Sequence, residues 1–469
     1  MGYKVYSVVF LVIILLILTI YFNQSFIYHQ IVSKPAIYFW SKRDGNAEQI
    51  QSFIKKLDEY KTSEAHFDSF EDNQIHKYAI PIFDKSFYIK KYLPNQFDPK
   101  LFGKEGGLPY IINMFTTPRS LFGTWLGDSI FRKDFKQRGV NNKRKEDYMR
   151  ALKTEDLEQY RVLFQDYFKE YFKPGLSVNY FDFVQETNIN LTYLIHFKEL
   201  PSERDLADVL LFIDTVRTYW HDNTYVDKQL YNLQVFHRRT LKLIENTRGK
   251  ECLVGKWLKF GNFNKNDIFV EFIHNILGMA INWTNLMYSY MLKFKQGDIP
   301  SIPDNSESLK PYLYETFRYL TPVRYTSSKI LKPEMFGMKS CANCMALHDL
   351  KIPSRKSEFF GDNTDKFNIN RLKNYKSDTV TSNGKCPFFE SPKGAKVACD
   401  MELYEKEGYI GFGEGYRRCP GEHLSLIFLE EMAKYIKKIE FDIYQKNGEI
   451  NLFPYVWGGV DKNLVLKIK

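Results

Sequence analysis

The stretch that most constrains this chain is Phe412-Gly413-Glu414-Gly415-Tyr416-Arg417-Arg418-Cys419-Pro420-Gly421. A single cysteine stands there among glycines and a proline, with two arginines just before it. From Leu424 onward, Ile427, Phe428, Met432, Tyr435, Ile436 and Ile439 recur at three- and four-residue steps, which predicts a helix with one buried face. Cys419 therefore lies on a tight loop that opens a helix. Glycines in the loop let backbone come close to a large flat partner. A helix N-terminus and nearby guanidinium groups favour the thiolate, the form that binds soft metals. The alternative is an inert cysteine in a Gly-rich turn.

Five positions in this stretch, Phe412, Gly415, Arg417, Cys419 and Gly421, match the Phe-x-x-Gly-x-Arg-x-Cys-x-Gly pattern of the cytochrome P450 haem loop. The chain is thus similar to that family. The resemblance implies haem b as cofactor, with Cys419 as axial ligand to its iron, Arg417 on a haem propionate and Phe412 packed near the sulfur. It also implies a mainly α fold with a small β region, two lobes and haem between a long helix and the Cys419 loop.

Other features bound the same reading. At 469 residues, with 44% apolar and 16% aromatic residues, the chain is globular rather than disordered. Its net charge of +10 is spread along the sequence, and the short cluster Lys143-Arg144-Lys145 reads as a solvated face rather than a nucleic-acid site. The six cysteines are few and unevenly spaced, unlike a secreted disulfide framework. Cys341, Cys344, Cys386 and Cys399 give four possible zinc ligands, against which stands the reading of buried structural cysteines.

The chain opens with an uncharged run from Val5 to His29. It is long enough to cross a bilayer, and no small-residue cleavage site follows it. An uncleaved anchor over residues 1–30 is expected, followed by a haem domain over 40–469. Lys34, Lys42 and Arg43 after the span predict a cytoplasmic domain on an endoplasmic-reticulum-like membrane. A β-hairpin is expected from Tyr78–Phe83 and Ser86–Ile89. Helix is expected over Asn141–Tyr171, whose Lys143, Arg144 and Arg150 fall where the resembled family contacts haem propionates; a solvated face is the competing reading. More helix is expected from Asp205 to Glu245.

Asp267–Lys295 is apolar nearly all round and predicts a long central helix. Gly278 inside it is unfavourable unless something flat, or another helix, lies close. Downstream, Glu315 and Arg318 share one face of a helix over Leu309–Leu320 and can pair. With Phe367-Asn-Ile-Asn-Arg371 they resemble the family's Glu-x-x-Arg helix and meander, which implies a buried triad of Glu315, Arg318 and Arg371. Cys341–Asp349, ending in Ala346-Leu-His348, resembles a strand and short helix of the family. Residues 379–406 read as a polar surface insertion. Strands are expected at Glu440–Tyr444 and Leu464–Ile468, with Pro454–Gly459 as the turn between them.

One departure matters for chemistry. The resembled monooxygenases place an acid followed by Thr in the long helix. From Phe272 to Leu292 this chain has no Asp or Glu, and its one Thr, Thr284, follows Trp283. Positioned proton delivery often contributes about 10²–10⁴-fold to rate. Asn275-Ile-Leu-Gly278 resembles the Asn-x-x-Gly of the plant hydroperoxide-metabolising branch, so Asn275 is a candidate catalytic residue. Three functions follow. The first is a monooxygenase for a lipophilic small molecule, monomeric and fed by a flavoprotein reductase. The second is an isomerase or dehydratase of lipid hydroperoxides or endoperoxides. The third is a non-catalytic haem- or lipid-binding protein.

Overall fold

The computed structural model describes residues 87–90, 102–103, 147–148, 150–152, 154–218, 226–323, 325–330, 345–372, 409, 411–412, 419–446, 452–455 and 458–469. The expected membrane anchor lies outside them. Among the described residues no helix is long and apolar enough to cross a membrane.

In chain order the strands are β1 (Phe87–Lys90), β2 (Phe102–Gly103), β3 (Ser177–Asn179), β4 (Tyr325–Ile330), β5 (Met345–Asp349), β6 (Phe441–Gln445), β7 (Leu452–Tyr455), β8 (Gly458–Asp461) and β9 (Leu464–Ile468). The helices are α1 (Thr154–Tyr171), α2 (Tyr180–Phe197), α3 (Glu203–Thr218), α4 (Val226–Asn246), α5 (Leu253–Phe260), α6 (Lys265–Asn275), α7 (Ile281–Lys295), α8 (Ser306–Leu320), α9 (Lys351–Ser354), α10 (Ser357–Phe360) and α11 (Glu422–Ile436). A π-helical turn, Ile276–Ala280, joins α6 to α7, so the long central helix is continuous but wider at its middle.

Local sequence sets these boundaries. Asn264 and Asp267 form a reciprocal capping box at the start of α6, with bonds of 2.9 and 3.0 Å. Asn179 caps α2 by accepting from the Asp182 amide at 3.0 Å, and Asn305 caps α8 through the Ser308 amide at 2.8 Å. Helix α8 stops where Thr321 takes a left-handed backbone (φ 46°) and Pro322 blocks further helix.

The core is a bundle in which α1 packs on α11, α2 packs on the long central helix, and α7 meets α11. Trp283 of α7 stacks flat on Phe428 of α11, centroids 4.3 Å apart and planes at 3°. Phe164 of α1 meets both rings edge-on, at 5.8 and 5.6 Å. Each such pair adds about 0.5–1.5 kcal/mol beyond the area it buries. Polar ties fix the register. Trp283 Nε1 donates to Ser425 Oγ at 3.0 Å, and Tyr180 Oη to the Tyr288 carbonyl at 2.6 Å. Arg161 of α1 pairs with Glu430 at 2.9 Å and with Glu431 of α11.

Among the described residues three small sheets accompany the bundle: β1-β5-β4-β2, β3-β9-β6 and the hairpin β7-β8. Two expectations are refined here. The expected Ser86–Ile89 arm falls on β1, which runs parallel to β5 and pairs with Met345–His348; the Tyr78–Phe83 arm lies outside the described residues. The C-terminal strands β6 and β9 do pair, antiparallel. Between them Pro454–Gly459 is not a simple turn, because Pro454 and Tyr455 lie in β7 opposite Gly459 and Gly458 in β8. The helix expected over Asn141–Tyr171 gives way to a turn at Leu152 before α1 begins.

Candidate functional site at the Cys419 loop

Cys419 and Phe412, the described ends of this stretch, lie against each other. The Cys419 amide donates to the Phe412 carbonyl at 2.7 Å, which closes the loop and leaves the side chain half-buried just ahead of α11. The thiol is held in no disulfide. Gly421 caps α11 at φ −91°, ψ 12°, a backbone open to any residue, so conformation does not demand glycine there. A Cβ at Gly421 would instead stand 3.8 Å from Cys419 Sγ, so glycine keeps the sulfur's flank bare. Gly415 and Arg417 lie outside the described residues.

Helix α8 carries this loop from below. The Phe412 ring packs on Phe317 at 4.5 Å. Tyr314 Oη donates to Glu422 Oε1 at 2.9 Å, and Tyr409 Oη donates to the Tyr314 carbonyl at 3.2 Å. On the same helix Glu315 and Arg318 are 0% and 1% exposed. Arg318 grips Glu315 with two bonds, Nε to Oε2 at 2.7 Å and Nη2 to Oε1 at 2.8 Å. Arg371 Nε reaches Glu315 Oε1 at 3.4 Å, and the Asn368 amide donates to the same oxygen at 2.9 Å. The structure therefore brings Glu315, Arg318 and Arg371 together. Sequence reasoning missed Arg355. It donates to the Thr364 carbonyl at 2.7 Å and the Tyr319 carbonyl at 2.5 Å, beside Arg318. Burial, then repulsion from Arg318, holds its guanidinium down at about 10. No spacing rule marks it, since it pairs mainly with backbone.

The long helix presents a partly open stripe. His274, Gly278, Asn282 and Asn285 are partly or fully exposed and recur at steps of four, four and three, one helical face, while most of their neighbours are buried. A Cβ on Gly278 would meet nothing within 4 Å. Among the described residues no helix comes close enough to explain this glycine, and its flank is open. Thr284 offers no alcohol to that space: it is 0% exposed and its hydroxyl donates to the Ala280 carbonyl at 2.6 Å.

Asn275 is not on the open stripe. It is buried, and its amide bridges two other elements. Tyr148 Oη donates to its Oδ1 at 2.7 Å, and its Nδ2 lies 2.8 Å from His196 Nε2. His196 Nδ1 lies 2.7 Å from the Thr192 carbonyl, an acceptor only, so Nδ1 carries the proton and Nε2 accepts from Asn275. The side chain of Asn275, the candidate catalytic residue, is thus spent tying the long helix to α2 and to Tyr148. Burial holds the His196 imidazole down at about 4, against an ordinary 6.5. A lowered folded value means the unfolded chain binds the proton first as pH falls. This contribution is complete above 6.5 and is lost as pH drops toward 4, about 3 kcal/mol in all. His196→Gln should therefore flatten the fall of the urea midpoint between pH 6.5 and 4; an unchanged slope would remove His196 from this role.

No protein-family model and no curated protein sequence matches the chain. Solved structures do. A cyanobacterial CYP120A1 with retinoic acid bound superposes with a TM-score of 0.58 at 14% identity, covering 82% of this chain and 90% of its own. Cytochrome P450 OleT in complex with arachidonic acid, a single-residue variant, gives 0.57 at 14% identity, covering 82% and 89%. The chain has the cytochrome P450 fold.

Two features of the described residues are compatible with a flat macrocycle held in this fold. Trp283 and Ser425 mark where the long helix meets α11. On the N-terminal side of that contact, one helix shows bare Gly278 and the other begins at the half-buried thiol of Cys419. Arg150, a residue considered for propionate contact, is exposed and lies over the Phe260 ring at 4.5 Å, the solvated alternative. Lys143 and Arg144 lie outside the described residues, as do Cys341, Cys344, Cys386, Cys399 and the 379–406 stretch. Among the described residues no group of His, Cys, Asp or Glu could hold a metal ion by itself. A groove of about 380 Å³, lined by Leu163, Tyr167, Leu194 and Cys252 among others, includes neither the loop nor the open stripe.

Proposed function

We propose that the chain is a haem-thiolate oxidoreductase that holds haem b through Cys419 and acts on a lipophilic small molecule. The observation that carries this reading is the half-buried Cys419 at the head of α11 in a P450 fold, a cysteine held in no disulfide. Arg417 would pair a propionate, and Phe412, Gly415 and Gly421 would shape the loop around the sulfur. Bound there, haem supplies an iron whose thiolate ligand favours cleavage of an O–O bond. The chain's part is to hold the thiolate on a closed loop, brace that loop from α8, and leave room beside Gly278. Two neighbours hold retinoic acid and arachidonic acid, which supports a long lipophilic carboxylic acid or its relatives as substrate class.

Within this class the first reading is a monooxygenase, monomeric, anchored through residues 1–30 to an endoplasmic-reticulum-like membrane, and supplied with electrons by a flavoprotein reductase. A specific observation favours a second reading, rearrangement or dehydration of a lipid hydroperoxide or endoperoxide. The Thr284 hydroxyl is consumed inside its own helix, and the long helix has no acid from Phe272 to Leu292. A substrate that brings its own O–O bond needs no such pair. The two separate in one assay. NADPH consumption with reductase and a lipophilic acid supports the first; turnover of a fatty-acid hydroperoxide without reductant supports the second. Haem-loaded protein inert in both arms overturns the enzymatic reading and leaves a binding protein.

A further inference from the structure

The stripe beside Gly278 contains one side chain with an arm to spare. Asn282 Nδ2 donates to the Gly278 carbonyl at 2.8 Å, one turn back across the π-helical turn. That bond pins the carboxamide next to the open flank of Gly278. It uses one of two N–H groups and leaves Oδ1 and the other N–H without a partner among the described residues. Asn285, one turn further, is committed to the Pro322 carbonyl at 3.2 Å. Thr284 and Asn275 are buried and bonded elsewhere. His274 shares the stripe one turn before Gly278 but is engaged by the protein.

We propose that Asn282 is the ligand-facing hydrogen-bond donor of this site, meeting the oxygen of a small ligand bound on the Gly278 side. The inference rests on the haem reading of the preceding subsection. Its chemical content is specific. A carboxamide donates and accepts but keeps its protons throughout the working pH range, so it orients and polarises an oxygen without relaying a proton to it. This suits a ligand whose oxygen already carries a lone pair and a weak O–O bond, such as an alkyl hydroperoxide.

The test uses the full chain, haem-loaded and reduced under carbon monoxide, and reads the C–O stretching frequency. A donor at the bound oxygen weakens the C–O bond and lowers the frequency. Asn282→Leu should raise it, and Asn282→Gln should restore part of the drop. The wild-type frequency should stay constant between pH 5.5 and 8, because an amide does not titrate. Affinity for tert-butyl hydroperoxide should fall about five- to tenfold in Asn282→Leu, the worth of one hydrogen bond. Haem content reports folding, and Asn282 is too exposed for its loss to unfold the chain. If Asn282→Leu leaves the frequency unchanged in haem-loaded protein, the inference fails alone. A frequency that titrates and is moved by His274→Phe instead assigns the contact to His274 and also overturns it. Protein that takes up no haem overturns both this inference and the functional reading beneath it.

Discussion

Cys419→Ala should give a folded protein that has lost the reduced carbon-monoxide band at about 450 nm expected of a thiolate-ligated haem. The separation of fold from ligand is what makes the experiment informative. Cys419 holds the loop through its backbone, by the 2.7 Å bond to the Phe412 carbonyl, and alanine keeps that bond. The side chain itself is half-buried. Removing one sulfur from such a position costs about 1 kcal/mol of packing, small against a total of roughly 5–15 kcal/mol. Circular dichroism and the urea midpoint should therefore stay close to wild type, while haem affinity collapses. Cys419→His tests the same atom differently: an imidazole can still bind iron but cannot give the thiolate band. A band surviving in either variant would mean that another residue holds the metal. Cys252, the other described cysteine outside a disulfide, is a poor substitute: it is 1% exposed at the start of α5, and burial pushes its thiol up.

What could be read from the sequence follows the range of each interaction. The Cys419 loop and the Glu315–Arg318 pair are legible because their members lie within a few residues, so spacing alone places them. The long helix is legible from its apolar run. Its chemistry is not. Sequence offered Asn275, Gly278 and Thr284 without saying which way each points, and the π-helical turn shifts the facing of everything around it. The partners that claim Asn275 are Tyr148 and His196, separated from it by 127 and 79 residues, and no local pattern joins them. Asn282 escaped notice for the same reason: it shares the exposed stripe with Asn285, and only the Pro322 carbonyl that engages Asn285 sets the two apart. Arg355 was silent because its partners are mostly carbonyl oxygens, which every residue has. The strand at Phe87–Lys90 pairs with a segment more than 250 residues away, and a nearby hydrophobic run suggested a hairpin instead.

The largest stability effect should come from Glu315→Ala. Glu315 is the one carboxylate among the described residues that pairs with the guanidinium groups of both Arg318 and Arg371, and it also accepts from the Asn368 amide. Removing it leaves at 0–5% side-chain exposure two cations that cannot shed their charge. Breaking a buried pair by deleting one partner costs about 3–5 kcal/mol. Much of a typical domain's stability would go, and the damage is aimed at the site. Helix α8 is the platform on which Phe412 and Glu422 rest through Phe317 and Tyr314. Arg318→Ala should be as severe, because the Ser354 carbonyl loses its donor at 2.6 Å, the Thr364 carbonyl is left with Arg355 alone, and the buried Glu315 carboxylate keeps only the Asn368 amide and the more distant Arg371. Arg318→Lys should recover little, since an ammonium cannot span Glu315 and two carbonyls from one plane. The measurement is soluble yield, urea midpoint and haem content side by side. Both alanine variants should fail in all three together, because the pair supports the loop by holding α8 and the segment carrying Arg371 in one register. If either variant gives well-folded holoprotein at wild-type haem content, the charges are incidental and the loop's support must be sought in the Phe317–Phe412 contact alone.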